Sequence, residues 1–406
     1  MPLDFKKLMS ARFLFTFAVQ MQAVVLGWRI YEILRDPLAL GFIGLAEAVP
    51  AIGLALYAGY LIDRMAPLKV YRGVMSVSFL SGLIVLSEHS LQNYLPLAAQ
   101  VSLLYFGSFL TGTARAFSQP AIFASVPRMV PRDQLLQATA TMSSAMQIAR
   151  IAGPAAGGLT FAFFGATVSS IIVCVGLIAA SLFVKSIKME IPAPAAATQN
   201  LSVKKELLSG VQFVFSHPIL LPALSLDMIS VLFGGVTALL PIFAKEILFI
   251  GPKGLGILRA APAVGASLMS LYLARFHQKF RTGKALLIAI TGFGFCILIF
   301  GFSKNYFISL AALGLSGAFD SISMVIRSSI VQLSSPDHMR GKISAVNSIF
   351  IGSSNEIGEF ESGIAAKVLG TIPAVYVGGI ICLITVSTVS NFSKSLRQLD
   401  LVKLKN

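Results

Sequence analysis

Charged residues are scarce in this chain of 406 amino acids. Asp, Glu, Lys and Arg account for 12% of the residues, whereas apolar residues account for 56%. Ordinary soluble domains contain roughly 25% charged residues. This shortage of charge excludes a soluble globular domain and predicts an all-α membrane protein that crosses the bilayer many times.

Cysteine and histidine are also rare, with three and four copies. The cysteines fall in apolar runs and the histidines lack the spacing of a metal site, so neither a disulfide framework nor a zinc site is predicted. The sequence has no Gly-rich phosphate loop followed by Lys and Ser or Thr, which argues against an ATP-driven pump. It also has no Ser/His/Asp or Cys/His constellation. We therefore expect neither an enzyme nor a bound cofactor.

Apolar runs of membrane-spanning length occur twelve times, each close to the roughly 20 residues that cross a bilayer as a helix. A Pro- and Ala-rich stretch with the composition of a linker separates the first six from the last six. We predict an N-terminal six-helix half at 1–187, a cytoplasmic linker at 188–203 and a C-terminal six-helix half at 204–406. The predicted spans are 10–34, 39–62, 70–88, 97–119, 135–163, 166–186, 218–243, 254–275, 285–303, 306–331, 343–369 and 371–392.

The net charge of +15 would suit a nucleic acid, but the positions of the cations indicate a membrane topology instead. With the N-terminus in the cytoplasm, 22 of the 32 Lys and Arg residues lie in cytoplasmic ends and loops. This asymmetry follows the positive-inside rule and places both termini on the cytoplasmic side of the inner membrane. No nucleic-acid partner is expected. The cations on the opposite side are Arg35, Lys245, Lys253, Lys304 and Lys367.

The segment Gly44–Gly53 returns as Gly256–Gly265, with the same residue at five of ten positions. A repeat shared by the two halves indicates duplication of one membrane-embedded unit. The charged position holds Glu47 in the first copy and Arg259 in the second. Because an ionisable group is costly inside a hydrocarbon-length segment, this pair marks a place to look for function.

Two further motifs lie at the end of the second predicted span and within the fifth. The first is Gly59-Tyr-Leu-Ile-Asp63-Arg64, which resembles the Gly-x-Leu-x-Asp-Arg signature of the major facilitator superfamily of transporters. The fifth span contains Gly153-Pro154, which with the following Gly157 is similar to the superfamily's antiporter motif. Small residues four apart let helices approach closely, and proline removes a ladder hydrogen bond, so this motif predicts a close helix crossing with a kink.

Two loops narrow the resemblance to one branch of the superfamily. The sequences Val130–Leu135, before span five, and Pro336–Lys342, before span eleven, are similar to those of the enterobactin-exporter-like branch of transmembrane secretion effectors. The resemblance covers nearly all of the chain. It implies the major facilitator fold and a secondary transporter that works by alternating access.

The resemblance also implies an arrangement of the spans. Span two should pack against span eleven and span five against span eight, while spans one, four, seven and ten line a central cavity. Arg115 and Asp320 occupy equivalent places in the two halves and are predicted to form a gate pair. The residues assigned to gating are Gly59, Asp63, Arg64, Arg115, Asp320, Gly153, Pro154 and Gly157.

Carboxylates inside the predicted spans are the candidates for proton coupling. Asp227 lies deep in span seven, where a short side chain does not easily reach water. Glu47 would face Glu356 and Glu359 of span eleven, and carboxylates crowded in a low dielectric bind protons readily. The alternative is that these residues form a polar seam or ion pairs that only hold the helices together.

Polar and cationic side chains within the spans are the candidates for substrate binding. Arg150 of span five would approach Arg259 of span eight, and two cations without a partner would favour an anionic substrate group. The alternative is that each arginine is capped by backbone carbonyls or reaches an interface. The residues assigned to substrate binding are Gln20, Gln22, Arg150, Arg259 and Arg327.

Together these patterns predict a proton-coupled exporter of an amphipathic small organic molecule, siderophore-like or drug-like, across the cytoplasmic membrane. Its expected partners are the small-molecule substrate, protons and membrane lipids. Two alternatives remain open. One is a proton-coupled importer of a metabolite or iron chelate, and the other is a lipid flippase or a membrane scaffold without transport.

Overall fold

The computed structural model describes residues 1–189, 203–276, 282–336 and 339–399. Most of the predicted linker 188–203 lies outside these residues. The described residues form helices joined by short loops. The helices are α1 Leu3–Leu34, α2 Pro37–Gly53, α3 Ala55–Arg64, α4 Pro67–Leu91, α5 Leu97–Met129, α6 Leu135–Lys185, α7 Val203–Ser216, α8 Leu220–Gly234, α9 Leu240–Ile242, α10 Gly251–Phe276, α11 Gly283–Phe302, α12 Tyr306–Ser334, α13 Arg340–Leu369, α14 Thr371–Phe392 and α15 Lys394–Arg397.

Nine helices among the described residues are long and apolar enough to cross a membrane, and α2 is a shorter apolar helix. The chain is therefore a multi-pass membrane protein. Several helices begin where the sequence supplies a cap. Asp36 accepts a hydrogen bond from the backbone N–H of Leu38, with Pro37 in the first turn of α2. Asn305 caps α12 in the same way.

The helix α6 contains 51 residues, which as one straight helix would measure about 75 Å, far more than the hydrocarbon thickness of about 30 Å. Its backbone leaves helical geometry at Gly165, where φ is 77° and ψ is 179°. Glycine reaches this region without steric penalty, so α6 consists of two helices joined at Gly165. This junction lies between the predicted spans 135–163 and 166–186. The helix continues through Pro154, where a kink was predicted.

Two predicted spans are interrupted. The second span is divided into α2 and α3 at Leu54, directly after Gly53, and glycine is a weak helix former. The seventh span ends its regular helix at Gly234, and Gly235 follows in an extended conformation. Tighter and wider helical turns then continue to Ile247. Two consecutive glycines weaken a helix, which accounts for the break.

The chain divides into two compact units, which are described separately. The first contains Met1–Thr198 and Leu240–Ala260, and the second contains Gln199–Leu239 and Ala261–Asn406. In the first unit α1 packs along α6, α4 lies against α5 and α6, and α2 lies against α5. Its core is a continuous apolar cluster whose fully buried members include Phe5, Leu8, Met21, Tyr71 and Leu177.

Glycines bring α6 close to its neighbours in this first unit. A Cβ atom added at Gly157 would lie 2.8 Å from the carbonyl oxygen of Met21 in α1. One added at Gly158 would lie 2.7 Å from the Cα of Gly256 in α10. Real Cβ atoms do not approach so closely, so these helices meet backbone to backbone. The close crossing predicted from the span-five glycines is confirmed.

In the second unit α8 packs against α13 and α14, and α11 packs against α12 and α14. The apolar core here includes Leu220, Leu224, Leu286 and Ile290, all of which are almost completely buried. Gly358 of α13 lies so close to α8 that an added Cβ would be 2.8 Å from the carbonyl oxygen of Leu232. Small residues again determine the helix separation.

The crossing at Gly157 should be sensitive to a single methyl group. We expect Gly157→Ala to lower the free energy of unfolding by about 1–3 kcal/mol, because the added Cβ overlaps the backbone of α1. The matched control is Gly73→Ala on α4, where nothing lies within 4 Å. This substitution should be neutral or stabilise by about 0.5–1 kcal/mol through helix propensity. Thermal unfolding in detergent measures both, and equal midpoints for the two variants would contradict the proposed backbone contact.

Candidate proton and substrate site

An ion pair lies inside the second unit, between α8 and α12. The carboxylate of Asp227 contacts the guanidinium of Arg327, and both side chains are about 95% buried. The hydroxyl of Ser323 donates a hydrogen bond of 3.2 Å to the other oxygen of Asp227. Because Ser323 and Arg327 are four residues apart on α12, they share the helix face that meets Asp227.

A second carboxylate lies beside this pair. Asp320 is three residues before Ser323 on the same face of α12, and it lines a small cavity together with Asp227. The cavity measures about 10 Å³, which is room for about one water molecule. Two carboxylates thus line one small cavity, and one of them contacts the guanidinium of Arg327. The full lining is Asp227, Ser230, Val231, Ile290, Phe293, Phe319, Asp320 and Ser323.

The structure can be compared with the predicted roles of Asp227, Arg327 and Asp320. Asp227 was predicted to be a proton-coupling residue, and its burial and carboxylate neighbour suit that prediction. Arg327 was assigned to substrate binding, but the structure engages it with Asp227. Asp320 was paired with Arg115 as a gate, yet Asp320 lies in the second unit and Arg115 in the first. The gate pair stays a prediction.

In the first unit Arg115 of α5 contacts Glu47 of α2 at 2.8 Å. The Glu47 side chain is 15% exposed, whereas that of Arg115 is 43% exposed. The sequence did not predict Arg115 as the partner of Glu47. It predicts instead that Glu47 faces acidic residues of span eleven. Of those residues, the side chain of Glu356 lies outside what the structure describes, and Glu359 is half-buried on α13.

The remaining cations of the first unit differ in their surroundings. Arg259 is half-buried, and its Nη1 donates to the carbonyl oxygen of Ala23 at 3.3 Å. This contact agrees with the alternative interpretation, in which the Arg259 guanidinium is capped by a backbone carbonyl. Arg150 is exposed on α6, within electrostatic reach of Arg12 and Arg115. Glu47 is the carboxylate that contacts Arg115.

The two glutamines predicted to bind substrate lie on α1 in different environments. Gln22 is 3% exposed, and its amide donates to the hydroxyls of Ser81 at 2.9 Å and Thr111 at 3.4 Å. This buried network joins α1 to α4 and α5, so the placement of Gln22 favours a packing role. Gln20 is half-buried, and its Cβ faces Gly153 of α6.

The predicted gate residues Gly59, Asp63 and Arg64 lie in α3. Arg64, the last residue of α3, is exposed and places its guanidinium 4.3 Å from the centroid of the Tyr60 ring, an arrangement typical of a cation–π contact. A Cβ added at Gly59 would meet nothing within 4 Å, so close packing does not explain this glycine. The side chain of Asp63 lies outside the described part of the structure.

One polar cluster was missed by the sequence reasoning. Arg29 of α1 contacts the fully buried Glu88 of α4, whose neighbour His89 is also buried. The sequence contained a clue to this contact, because Arg29 lies inside span one and Glu88 lies at the end of span three. Counting residues from the same membrane surface would have placed both at a similar depth.

The membrane-length helices and the close glycine crossings define a multi-pass helical membrane protein, the architecture expected of the major facilitator superfamily. Solved structures share this fold. The nucleoside transporter NupG is 12% identical, with 97% of this chain and 100% of that chain covered and a TM-score of 0.77. A bacterial homologue of the iron transporter ferroportin, in its inward-facing state, is 16% identical, with 95% and 100% covered and a TM-score of 0.70. At these identities the likeness concerns the fold alone.

A family model described as transmembrane secretion effector matches residues 3–405, and the chain belongs to this family. Curated relatives include enterobactin exporters EntS of Escherichia coli O1:K1 and of Escherichia coli O6:K15:H31. Each is 24% identical over 84% of this chain and 80% of the relative. The chain is thus a secondary transporter, as the resemblance predicted.

The buried pair should behave as a coupled unit. We expect Arg327→Leu alone to destabilise by about 3–5 kcal/mol, because it leaves the buried carboxylate of Asp227 without a partner. Asp227→Leu alone should destabilise by less, because the carboxylate of Asp320 remains nearby. The double variant should be much less unstable than the sum of the two. The matched control is the cycle Glu47→Leu and Arg115→Leu, whose exposed partner should limit the coupling to about 1 kcal/mol. Thermal unfolding in detergent provides these values, and strictly additive effects at Asp227 and Arg327 would contradict the ion pair.

Proposed function

We propose that this protein is a proton-coupled exporter of amphipathic organic molecules. The observation that carries the proposal is the group formed by Asp227, Asp320 and Arg327 within the second unit. The carboxylate of Asp227 contacts the guanidinium of Arg327, and a second carboxylate, that of Asp320, lines the same small cavity as Asp227. Burying a second negative charge without compensation is unfavourable, so this group favours holding one proton.

A proton at this site can control the ion pair. With a proton on either carboxylate, Arg327 balances the remaining negative charge. When the proton leaves, two carboxylates compete for the same guanidinium, and Ser323 is the hydroxyl that contacts one of them at 3.2 Å. Loading and unloading therefore favour different positions of α8 and α12, which is how a proton can drive alternating access.

The topology is part of the proposal. We place twelve spans in two halves, at 1–187 and 204–406, with both termini on the cytoplasmic side of the inner membrane. The division of α6 at Gly165 supports two spans in that helix. The helix α13, with 30 residues, supplies a further one. The excess of Lys and Arg at the proposed cytoplasmic ends supports the orientation.

For the substrate we propose an amphipathic organic molecule with an acidic group, siderophore-like in character. Arg150 of the first unit lies within electrostatic reach of Arg12 and Arg115, and these cations would attract such a group. The names of the curated relatives point to enterobactin. The antiporter-like glycines Gly153 and Gly157 support exchange of this molecule for protons.

Transport into inverted vesicles tests the coupling. We expect proteoliposomes with an acidic lumen and inside-out protein to accumulate enterobactin, and a protonophore should abolish the accumulation. Asp227→Asn should reduce uptake to the level of protein-free vesicles, because the substituted amide cannot exchange the proton. The matched control is Asp133→Asn, at an exposed carboxylate in the turn before α6, which should transport like the wild type.

Three outcomes would contradict this proposal. Accumulation that persists after the gradient collapses would remove the proton coupling. Uptake by the Asp227→Asn variant at the wild-type level would contradict the assignment of Asp227 as the proton-coupling residue. Accumulation driven only by an alkaline lumen would indicate a symporter, and hence an importer.

A further inference from the structure

An arginine with only uncharged hydrogen-bond partners lies in the third turn of α1, in the first compact unit. Arg12 is half-buried, and its Nη2 donates a hydrogen bond of 2.5 Å to the side-chain oxygen of Gln119 on α5. Its Nη1 lies 3.9 Å from the sulfur of Met142 on α6, and a thioether is a weak acceptor. Because a guanidinium has five N–H donors, the hydrogen-bonding capacity of Arg12 is only partly used.

The charge of Arg12 is not balanced by an acidic residue. Among the side chains that the structure describes, no carboxylate oxygen lies within 4.0 Å of Arg12 or of Arg150 on α6. The electrostatic neighbours of Arg12 are the buried phenol of Tyr71 and the second cation, Arg150. Unpaired charges are costly at membrane depth, and they commonly mark the path of a charged ligand. Arg12 therefore has the surroundings expected of a cation that binds an anionic group.

Contacts between α1 and α6 give the depth of Arg12 relative to Arg150. Arg12 and Thr16 each contact a methionine of α6 that is 130 positions later in the chain, so the two helices run side by side in the same direction. By the same offset Arg150 is level with Gln20. Since each helical residue rises by about 1.5 Å, Arg150 is about 12 Å further from the start of α1 than Arg12 is.

Arg115 lies between these two levels. Arg12 contacts Gln119 whereas Gln22 contacts Thr111, so α5 runs in the opposite direction to α1. Arg115 precedes Gln119 by one helical turn, and it is therefore about 6 Å further from the start of α1 than Arg12 is. The three cations thus follow one another in steps of about 6 Å. In the proposed topology Arg12 is the one nearest the cytoplasm.

We propose that Arg12 binds the acidic group of the substrate as the substrate enters from the cytoplasm, and that Gln119 positions the guanidinium for this contact. The inference deepens the proposed function and rests on it for the class of substrate and the direction of entry. The ligand is an amphipathic organic acid with a carboxylate or another oxyanion, because a guanidinium can donate two parallel hydrogen bonds to such a group. Arg115 and Arg150 extend the positive charge inward from this point.

A binding measurement without transport tests Arg12. The probe is naphthalene-2-carboxylate, and its uncharged analogue naphthalene-2-carboxamide is the reference. Equilibrium dialysis against the protein in lipid nanodiscs, with empty nanodiscs subtracted, gives both affinities. We expect the wild type to bind the carboxylate about tenfold or more tightly than the carboxamide, because hydrogen bonds between charged groups are the stronger ones.

Arg12→Gln should remove this preference and leave the affinity for the carboxamide unchanged. The matched control is Arg72→Gln, which removes an exposed arginine near the start of α4 in the same unit. This control should keep the wild-type preference for the carboxylate, because Arg72 lies outside the series of three cations.

Gln119→Glu tests the same contact in the opposite way. It places a carboxylate where Arg12 already donates a hydrogen bond, so the guanidinium is neutralised within the protein. We expect this variant to lose the preference for the carboxylate probe while its thermal unfolding midpoint rises, because the new ion pair compensates the charge of Arg12.

Equal affinities of the wild type for the two probes would overturn the inference, as would a Gln119→Glu variant that still prefers the carboxylate. If Arg12→Gln does not fold, Gln119→Glu decides, since it adds a partner instead of removing one. The binding is measured at equilibrium and without a gradient. A failure of proton-driven enterobactin uptake with intact carboxylate binding therefore counts against the proposed coupling and not against Arg12.

Discussion

The hydrocarbon interior of a bilayer supplies no hydrogen-bond partners, so each polar group that a chain carries into it must find one within the protein. In this protein the constraint acts first on the backbone, which the helices satisfy internally. It then acts on the few side chains that carry charge. Asp227 contacts Arg327, Glu47 contacts Arg115, and Arg259 bonds a backbone carbonyl. The helices are held in register by these contacts as well as by apolar packing.

The same constraint gives the unbalanced clusters their functional meaning. A balanced ion pair is inert in a low dielectric because neither partner gains from changing its charge. Where one carboxylate exceeds the available cations, a proton supplies the missing charge. We propose this for Asp320, which lies beside the Asp227–Arg327 pair.

Close helix contact provides the second condition for movement. Where Gly157 meets α1 and Gly158 meets Gly256, the backbones touch without side chains between them. The breaks at Leu54, Gly165 and Gly234 divide long helices into shorter pieces that can shift separately.

The sequence by itself determined the class of protein, the family and most helix positions, because apolar length and short glycine motifs are local properties that reflect the bilayer directly. It also located Asp227 as a buried carboxylate. It did not show that Asp227 contacts Arg327 and lies beside Asp320. Nor did it show that Gln22 donates hydrogen bonds to Ser81 and Thr111, or that Glu88 contacts Arg29. These pairings join residues from 59 to 100 positions apart, and they depend on helix rotation and depth. Only tertiary packing decides these two quantities, because a change of one residue in register turns a side chain by about 100° around the helix.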